Sequence, residues 1–153
     1  MVDRGKGEGS IVSEQNKALA RKVYEIIASG DFGRVEEIVD PDIPDNERPE
    51  CPPEMDRPRP KLIDTFRQFA TEAHRGFPDM RIEVEDMIAE GDKVTARVAM
   101  SGTHQGEFQG IAPTGKQVQV RAIDIFRIAN DKIVEHWGHG DNPAECLREP
   151  KRP

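Results

Sequence analysis

The sequence contains few leucines and few aromatic residues for a chain of 153 residues. Only 3 residues are Leu, whereas 24 are Ile or Val, and aromatic residues make up 5% of the chain. Because β-branched side chains fit a pleated sheet better than a helix, this composition argues against an all-helical bundle. The 33 Ile, Val, Leu and Phe residues still suffice for the modest core of a single domain.

The chain also lacks positive net charge, long apolar runs and closely spaced cysteines. Its formal net charge is −7, so no electrostatic attraction draws it toward nucleic acid or an anionic membrane. No stretch approaches the length of a membrane span, and residues 1–12 lack the apolar middle of a signal peptide. The two cysteines, Cys51 and Cys146, lie far apart, which favours a reduced protein over a disulfide. We therefore expect a cytoplasmic protein that binds neither nucleic acid nor membrane.

Helical periodicity occupies the first half of the chain. An apolar stripe follows Ser13, a typical N-cap residue, and predicts a helix over residues 13–29. A short second helix is predicted around residues 32–39, and a third over residues 61–75. The helices are therefore expected to be three in number and to precede the strands.

The segments outside these helices are rich in proline, glycine or charge. Residues 41–60 hold 7 of the chain's 12 prolines and predict a long irregular loop, which we expect to form the rim or lid of a site and to contribute Asn46. Residues 1–12 and 142–153 are predicted to be flexible tails. The part of the chain between these tails, residues 13–141, is predicted to form a single domain.

Beyond the third helix the apolar period changes to two. Alternating residues predict strands at 80–85, 93–104, 117–128 and 133–137. Three helices followed by adjacent antiparallel strands form an α+β layout, in which the helices pack on one face of a curved sheet.

The other face of that sheet also carries apolar side chains. Ile123, Ile125 and Trp137 lie on it, and three short helices cover only one face. We therefore expect a homodimer that packs through this face.

Two polar residues interrupt the buried phase of the strands. Asp124 falls among the apolar positions of strand 117–128, and His104 ends the apolar phase of the preceding strand. Burying a carboxylate is costly unless it is paired, hydrogen-bonded or neutralised, so both residues are candidates for a cavity lining. Asp124 is equally compatible with a structural acid bonded to a buried His or Arg.

The last hairpin decides which partner Asp124 meets. A two-residue turn at Asn130-Asp131 sets Asp124 opposite Trp137. A three-residue loop with a bulge shifts the register by one residue, which sets Asp124 opposite Gly138 and places His136 on the same face. Because the turn lacks the glycine that identifies either type, both registers stay open.

Three weaker signals favour structural interpretations. Gly110–Lys116 matches most of a phosphate loop, but Gln117 replaces the required Ser or Thr and a strand follows, so the segment is interpreted as a turn. His136 and His139 offer two imidazoles, but strand positions three apart point to opposite faces, and no metal site is predicted. Tyr24 borders the apolar stripe of the first helix and is interpreted as a packing residue with a solvated hydroxyl.

Four motifs give the chain a resemblance to a known family. They are Phe77–Asp79 (FPD), Thr103–Gly106 (THQG), Ala112–Lys116 (APTGK) and Ile133–Trp137 (IVEHW). Over roughly residues 15–141 the chain resembles the SnoaL-like polyketide cyclase (ester cyclase-like) family. The resemblance implies the nuclear transport factor 2-like cone fold, with a pocket between the helices and the concave face of the sheet.

The resemblance also implies a chemistry and a set of site residues. Cyclases of the family close a ring by intramolecular aldol condensation with no metal and no cofactor. The bulged register is implied, with Asp124 and His136 facing the pocket and His104 beside them as catalytic residues. The expected pocket lining consists of Tyr24, Ile27, Asn46, Phe66, Phe69, Met100, Phe126 and Gly138. The family's cyclases carry an acid/base residue at the position of Gly138, and this chain departs from them there.

Two functions are therefore compatible with the sequence. The first is a cofactor-independent cyclase or isomerase acting on a polyketide-like small molecule, with Asp124 as base and His136 and His104 as proton donors or a relay. The second is a non-catalytic module that binds a small molecule or assembles with partners. Gly138 favours the module because it removes an acid, whereas the cost of burying Asp124 favours the enzyme.

Overall fold

The computed structural model describes residues 5–44 and 60–148, with side chains from Ile11 onward. Asn46, Cys51 and most of the predicted Pro-rich loop lie outside the described residues. Inside the described ranges, no helix has the length and the apolar character needed to cross a membrane.

The described chain forms one antiparallel sheet with helices on one of its faces. The elements in order are α1 (Gly5–Ser29), a 3₁₀ helix (Phe32–Glu37), α2 (Leu62–Gly76), β1 (Arg81–Glu90), β2 (Lys93–Thr103), β3 (Gln117–Ala129), β4 (Lys132–Gly140) and α3 (Pro143–Arg148). The strands pair in the order β1-β2-β3-β4. The predicted α+β fold is therefore confirmed.

The core lies between the helices and what we call the inner face of the sheet, which carries Val98, Val120 and Phe126. These side chains alternate with exposed ones along their strands, as period-two patterning predicts. The outer face carries the intervening residues, among them Ile123, which is 49% exposed. The position of the helices thus leaves the outer face uncovered within one chain.

Helix α1 begins earlier than the N-cap pattern predicts. It starts at Gly5 rather than at Ser13, so residues 5–12 belong to the helix. Once the buried part of the helix around Ala20 is formed, each added turn closes hydrogen bonds at little further cost in nucleation. Ile11 and Val12 extend into solvent on this part of the helix and are 60% and 49% exposed.

The segment after β4 forms a short helix, α3, that the periodicity did not predict. Asn142 begins helix α3 by accepting the backbone N–H of Ala144 on its side-chain oxygen at 3.0 Å. Ala144 and Leu147 are then buried against the core at 0% and 4% exposure. Burial of these apolar side chains offsets the cost of ordering so short a segment.

The predicted second helix is a 3₁₀ helix that ends at Glu37. The chain then pairs with β4, since Ile38 accepts the backbone N–H of Ile133 at 2.7 Å and Asp40 donates to Ile133 at 3.0 Å. This pairing needs an extended backbone after Ile38, which prevents the helix from continuing. Val39 stays fully buried in the process.

The β3–β4 hairpin combines the two predicted alternatives. The turn has two residues, Asn130 and Asp131, with φ angles of 51° and 58°, and Ala129 pairs with Lys132. The register nevertheless shifts further along, because Ile128 pairs with Ile133 whereas Arg127 pairs with Glu135. The shift therefore arises from a bulge at Val134 and not from a three-residue loop. Asp124 consequently lies opposite Gly138.

Candidate active site

A cavity of about 380 Å³ lies between α1, α2 and the inner face of the sheet. Its lining is mostly apolar and includes some polar side chains. Among the lining residues are Tyr24, Ile27, Phe66, Phe69, Met100, Gln109, Asp124, Phe126, His136 and Gly138. An apolar cavity with few placed polar groups is typical of a small-molecule site.

Asp124 is the carboxylate of this cavity. Its side chain is 15% exposed, and it points inward because it shares the alternating phase of Phe126 on β3. The hydroxyl of Tyr24 donates a hydrogen bond to Asp124 Oδ2 at 2.6 Å, and His136 Nε2 lies 3.0 Å from Asp124 Oδ1. Each carboxylate oxygen therefore has a partner, which offsets much of the cost of burying the charge.

His136 owes its position to the bulge at Val134. The extra residue turns the following part of β4 by one position, so that Ile133 and His136 both face the core although they are three apart. The imidazole stacks on Phe126 with ring centroids 5.0 Å apart and meets the edge of Phe66 at 5.1 Å. This packing fixes the ring plane and aims Nε2 at Asp124.

Together these three side chains form what we call the carboxylate centre: Tyr24, Asp124 and His136. A carboxylate oxygen has two lone pairs, so Asp124 can accept these hydrogen bonds and still take a proton from a bound molecule. Tyr24 and His136 carry exchangeable protons beside it. The arrangement can therefore both remove and return a proton inside an apolar cavity.

Most of the sequence-predicted site residues meet at this cavity. All of the predicted lining residues that the structure describes are found there, and so are Asp124 and His136. Asn46 lies outside the described residues. The hydrogen bond of Tyr24 was missed by the sequence reasoning, because Tyr24 and Asp124 are 100 residues apart in the chain. The only signal was that Tyr24 borders the same helical stripe as Ile27.

His104 is not brought to the carboxylate centre and is not among the described residues that line the cavity. It is fully buried at the end of β2, where its ring packs on Phe77 at 5.5 Å. Its Nδ1 accepts the backbone N–H of Thr114 at 3.1 Å and lies 2.9 Å from the Thr114 hydroxyl. His104 thus holds the loop between β2 and β3, which accounts for a polar residue in a buried phase.

Gln109 is a cavity residue that the sequence reasoning did not single out. It lies in the loop between β2 and β3 and has a φ angle of 47°. A positive φ in a residue other than glycine cannot be read from local pattern. Over the described ranges, no group of three or more His, Cys, Asp or Glu side chains is placed to hold a metal ion.

Comparisons with known proteins agree with this fold. The family model of the SnoaL-like polyketide cyclases matches residues 17–146. AclR, a proposed hydroxylase from Streptomyces galilaeus, is 26% identical with a TM-score of 0.74, over 92% of this chain and 86% of AclR. IdmH, a proposed polyketide cyclase from Streptomyces antibioticus, is 29% identical with a TM-score of 0.71, over 87% of this chain and 98% of IdmH.

A third solved structure shows the fold at lower identity. It is a SnoaL-like protein from Jannaschia sp. CCS1, which is 20% identical with a TM-score of 0.73 over the whole of both chains. No curated protein sequence matches this chain.

Proposed function

Since the chain belongs to the SnoaL-like polyketide cyclase family, we propose that it is a cofactor-independent cyclase or isomerase of a polyketide-like small molecule. The observation that carries this proposal is the carboxylate centre in an apolar cavity. A binding pocket for an apolar ligand gains nothing from a buried carboxylate, whereas proton abstraction from carbon requires a base.

Asp124 is the base in this proposal. Its side chain is 15% exposed, whereas that of His136 is 4% exposed, so Asp124 offers the more accessible acceptor to a bound molecule. The second ring nitrogen of His136, Nδ1, is buried. His136 therefore acts through the nitrogen that faces Asp124, as a group that orients the carboxylate and shares its proton.

The reaction follows from these roles. Asp124 removes a proton from a carbon next to a carbonyl group, and the enolate oxygen is stabilised by hydrogen bonds. In ring closure the enolate carbon bonds to a second carbonyl carbon of the same molecule, whose oxygen then takes up a proton. In isomerisation the proton returns to a different carbon instead. Both products are isomers of the substrate, and Tyr24 and His136 supply the exchangeable protons beside the reacting atoms.

The experiment that tests this proposal replaces Asp124 by Asn. The substrate is a polyketide methyl ester with an acidic methylene group and a second carbonyl within reach of it. We expect the fold to persist and single-turnover product formation to fall by roughly 10²–10⁴-fold, because the amide cannot act as a base. Asp131→Asn, an exposed acid in the β3–β4 turn, is the control and should leave turnover unchanged.

A purely structural Asp124 predicts a different result. The variant would then keep full turnover and show only a lower melting temperature, which would end the catalytic role of this residue.

A non-catalytic binding module is the second candidate, and Gly138 favours it. This residue lies directly opposite Asp124 in the sheet, at the position where the family resemblance implies an acid. Binding of the same ester by a wild type that gives no product would favour the module over the enzyme.

The proposal includes a homodimer that packs through the outer face of the sheet. Ile88, Thr95, Ile125 and Trp137 are successive partners across the four strands. Ile88 is 64% exposed, and charged residues of both signs lie on either side of this row. A two-fold axis would bring the apolar rows together and set opposite charges against each other.

A further inference from the structure

The loop between β2 and β3 contains a tight hairpin, of which one residue, Gln109, lines the cavity. Phe108 and Ile111 exchange two backbone hydrogen bonds, of 3.1 and 2.9 Å. Gln109 and Gly110 form the turn between them, with φ angles of 47° and 77°. Positive φ at both central positions identifies a turn of the type I′ class, which favours Asn or Gly at the first position.

Glutamine is therefore an unfavourable residue at the first position of this turn. Its side chain does not stabilise the left-handed backbone conformation, whereas glycine and asparagine adopt that conformation readily. The second position of the turn is already glycine, so strain is confined to Gln109. Strained residues in a cavity wall are a reason to look for a role of the side chain.

The backbone of this turn is firmly anchored. Phe108, next to Gln109, is 1% exposed and packs its ring edge on Phe77 at 5.3 Å. Phe108 also lies against the C-terminal end of α2, where a Cβ added to Gly76 would stand 2.8 Å from its own Cβ. The anchored turn holds Gln109 at the cavity wall, and Gln109 is also exposed to solvent.

The position of the hairpin separates Gln109 from the carboxylate centre along the sheet. The loop leaves β2 after Thr103, which pairs with Gln117, and Gln117 lies seven residues before Asp124 on β3. Gln109 and Asp124 line the same cavity, Asp124 from the middle of β3 and Gln109 from the loop at this end of the sheet.

We propose that Gln109 is a specificity-determining residue, whose amide hydrogen-bonds an oxygen of the substrate at the end remote from the reacting carbon. This inference rests on the proposed function for the location of the reacting carbon. It names the substrate class more closely: an apolar ring system with one oxygen near Asp124 and a carbonyl or hydroxyl oxygen at its other end. The strain of the turn is retained because the amide serves binding and not folding.

The test uses two ligands of nearly equal shape, 6-acetyl-2-naphthol and 6-ethyl-2-naphthol. Both carry a hydroxyl group for the carboxylate centre, but only the first carries a carbonyl oxygen at the far end. Wild type should bind the acetyl compound more tightly than the ethyl compound in a fluorescence titration. Gln109→Gly should lower affinity for the acetyl compound by about three- to tenfold and leave that for the ethyl compound unchanged, because one hydrogen bond is lost.

The matched control is Asn130→Gly, which also replaces an amide residue by glycine at the first position of a two-residue turn with positive φ. Gln109→Gly should raise the melting temperature by about 2 °C, since glycine relieves the strain. Asn130→Gly should raise it by no more than this, because asparagine tolerates positive φ, and it should leave both affinities unchanged.

The outcomes separate this inference from the proposed function. Equal affinities of wild type and Gln109→Gly for the acetyl compound would overturn the role of Gln109, whether or not the protein turns over any substrate. A lower melting temperature for Gln109→Gly would overturn the strain argument. Selective loss of the acetyl compound in a protein without turnover would support Gln109 and count against the enzyme.

Discussion

At the scale of single residues, the site is organised by the environment of one carboxylate. Asp124 lies among the inward-facing apolar residues of β3. The cost of burying its carboxylate is offset by Tyr24 and His136, which each contact one of its oxygens. Neither partner is adjacent to it in sequence. The chemistry of the site therefore depends on contacts among three elements, α1, β3 and β4.

Substitution of Gly138 tests the effect of a second carboxylate beside Asp124. An aspartate at position 138 would lie directly opposite Asp124, where like charges destabilise a sheet by roughly 0.2–1 kcal/mol. We expect Gly138→Asp to unfold at lower urea concentration than Gly138→Asn, its neutral control of equal size. If Asp124 is the base, Gly138→Asp should also form less product than wild type in a single turnover.

The opposite result has a definite meaning. Product from Gly138→Asp, with none from wild type or from Gly138→Asn, would indicate that this chain lost a cyclase activity that the acid restores. The Asp124 base would then be contradicted.

At the scale of elements, two of the four family motifs, FPD and THQG, contact each other at one end of the sheet. Asp79, in the turn after α2, accepts the backbone N–H of Thr103 at 2.7 Å and its hydroxyl at 2.8 Å. Gly106 passes so close to α2 that an added Cβ would stand 1.9 Å from the carbonyl oxygen of Arg75. These contacts join α2 to the end of β2 and thereby position the loop that carries Gln109.

The Asp79 contact predicts a pH-dependent stability. The backbone N–H of Thr103, followed by its hydroxyl, holds the pKa of Asp79 below its usual value of 3.8 in the folded state. The stabilisation is therefore fully present above pH 3.8 and is lost as the pH falls through the lower folded-state pKa. Asp79→Asn should be less stable than wild type at pH 7, and the difference should shrink once the pH falls below 3.8.

The measurement is urea unfolding of both proteins between pH 7 and the acid limit of the folded state. Asp131→Asn serves as the control, because Asp131 is an exposed acid in a turn. A difference between wild type and Asp79→Asn that stayed constant down to pH 2.5, well below 3.8, would show that charge plays no part in the contact.

At the scale of the whole molecule, the sheet has one covered and one uncovered face. The helices bury the inner face, whereas the outer face exposes Ile88 and Ile123. Exposed apolar side chains on one face of a sheet are typical of a surface that another chain covers.

The dimer prediction is tested by sedimentation equilibrium at micromolar concentration. Wild type should sediment at twice the 17.2 kDa of one chain. Ile123→Glu should shift the equilibrium toward monomer, because it buries a charge in the interface. Ile11→Glu changes another exposed isoleucine, on α1, and should remain dimeric. A monomeric wild type would rule out the outer-face dimer.

The sequence alone determined the order of the first three helical segments and of the four strands, and the polar residue that breaks an apolar phase. These features follow from local periodicity, since side chains two apart on a strand or three to four apart on a helix share a face whatever the rest of the chain does. Asp124 was identified for this reason. The start of α1 was placed too late and helix α3 was not predicted, because helix ends and short helices depend on small energies that neighbouring elements supply.

Only the tertiary structure decided what Asp124 contacts. The two registers of the last hairpin differ by one residue, and the bulge at Val134 that selects between them follows a turn that by itself favours the other register. Likewise, His104 and His136 both interrupt apolar phases, yet one holds a loop and the other faces the cavity. Their roles differ because one ring nitrogen of each imidazole meets a different partner: Thr114 in the β2–β3 loop for His104, and Asp124 on the neighbouring strand for His136.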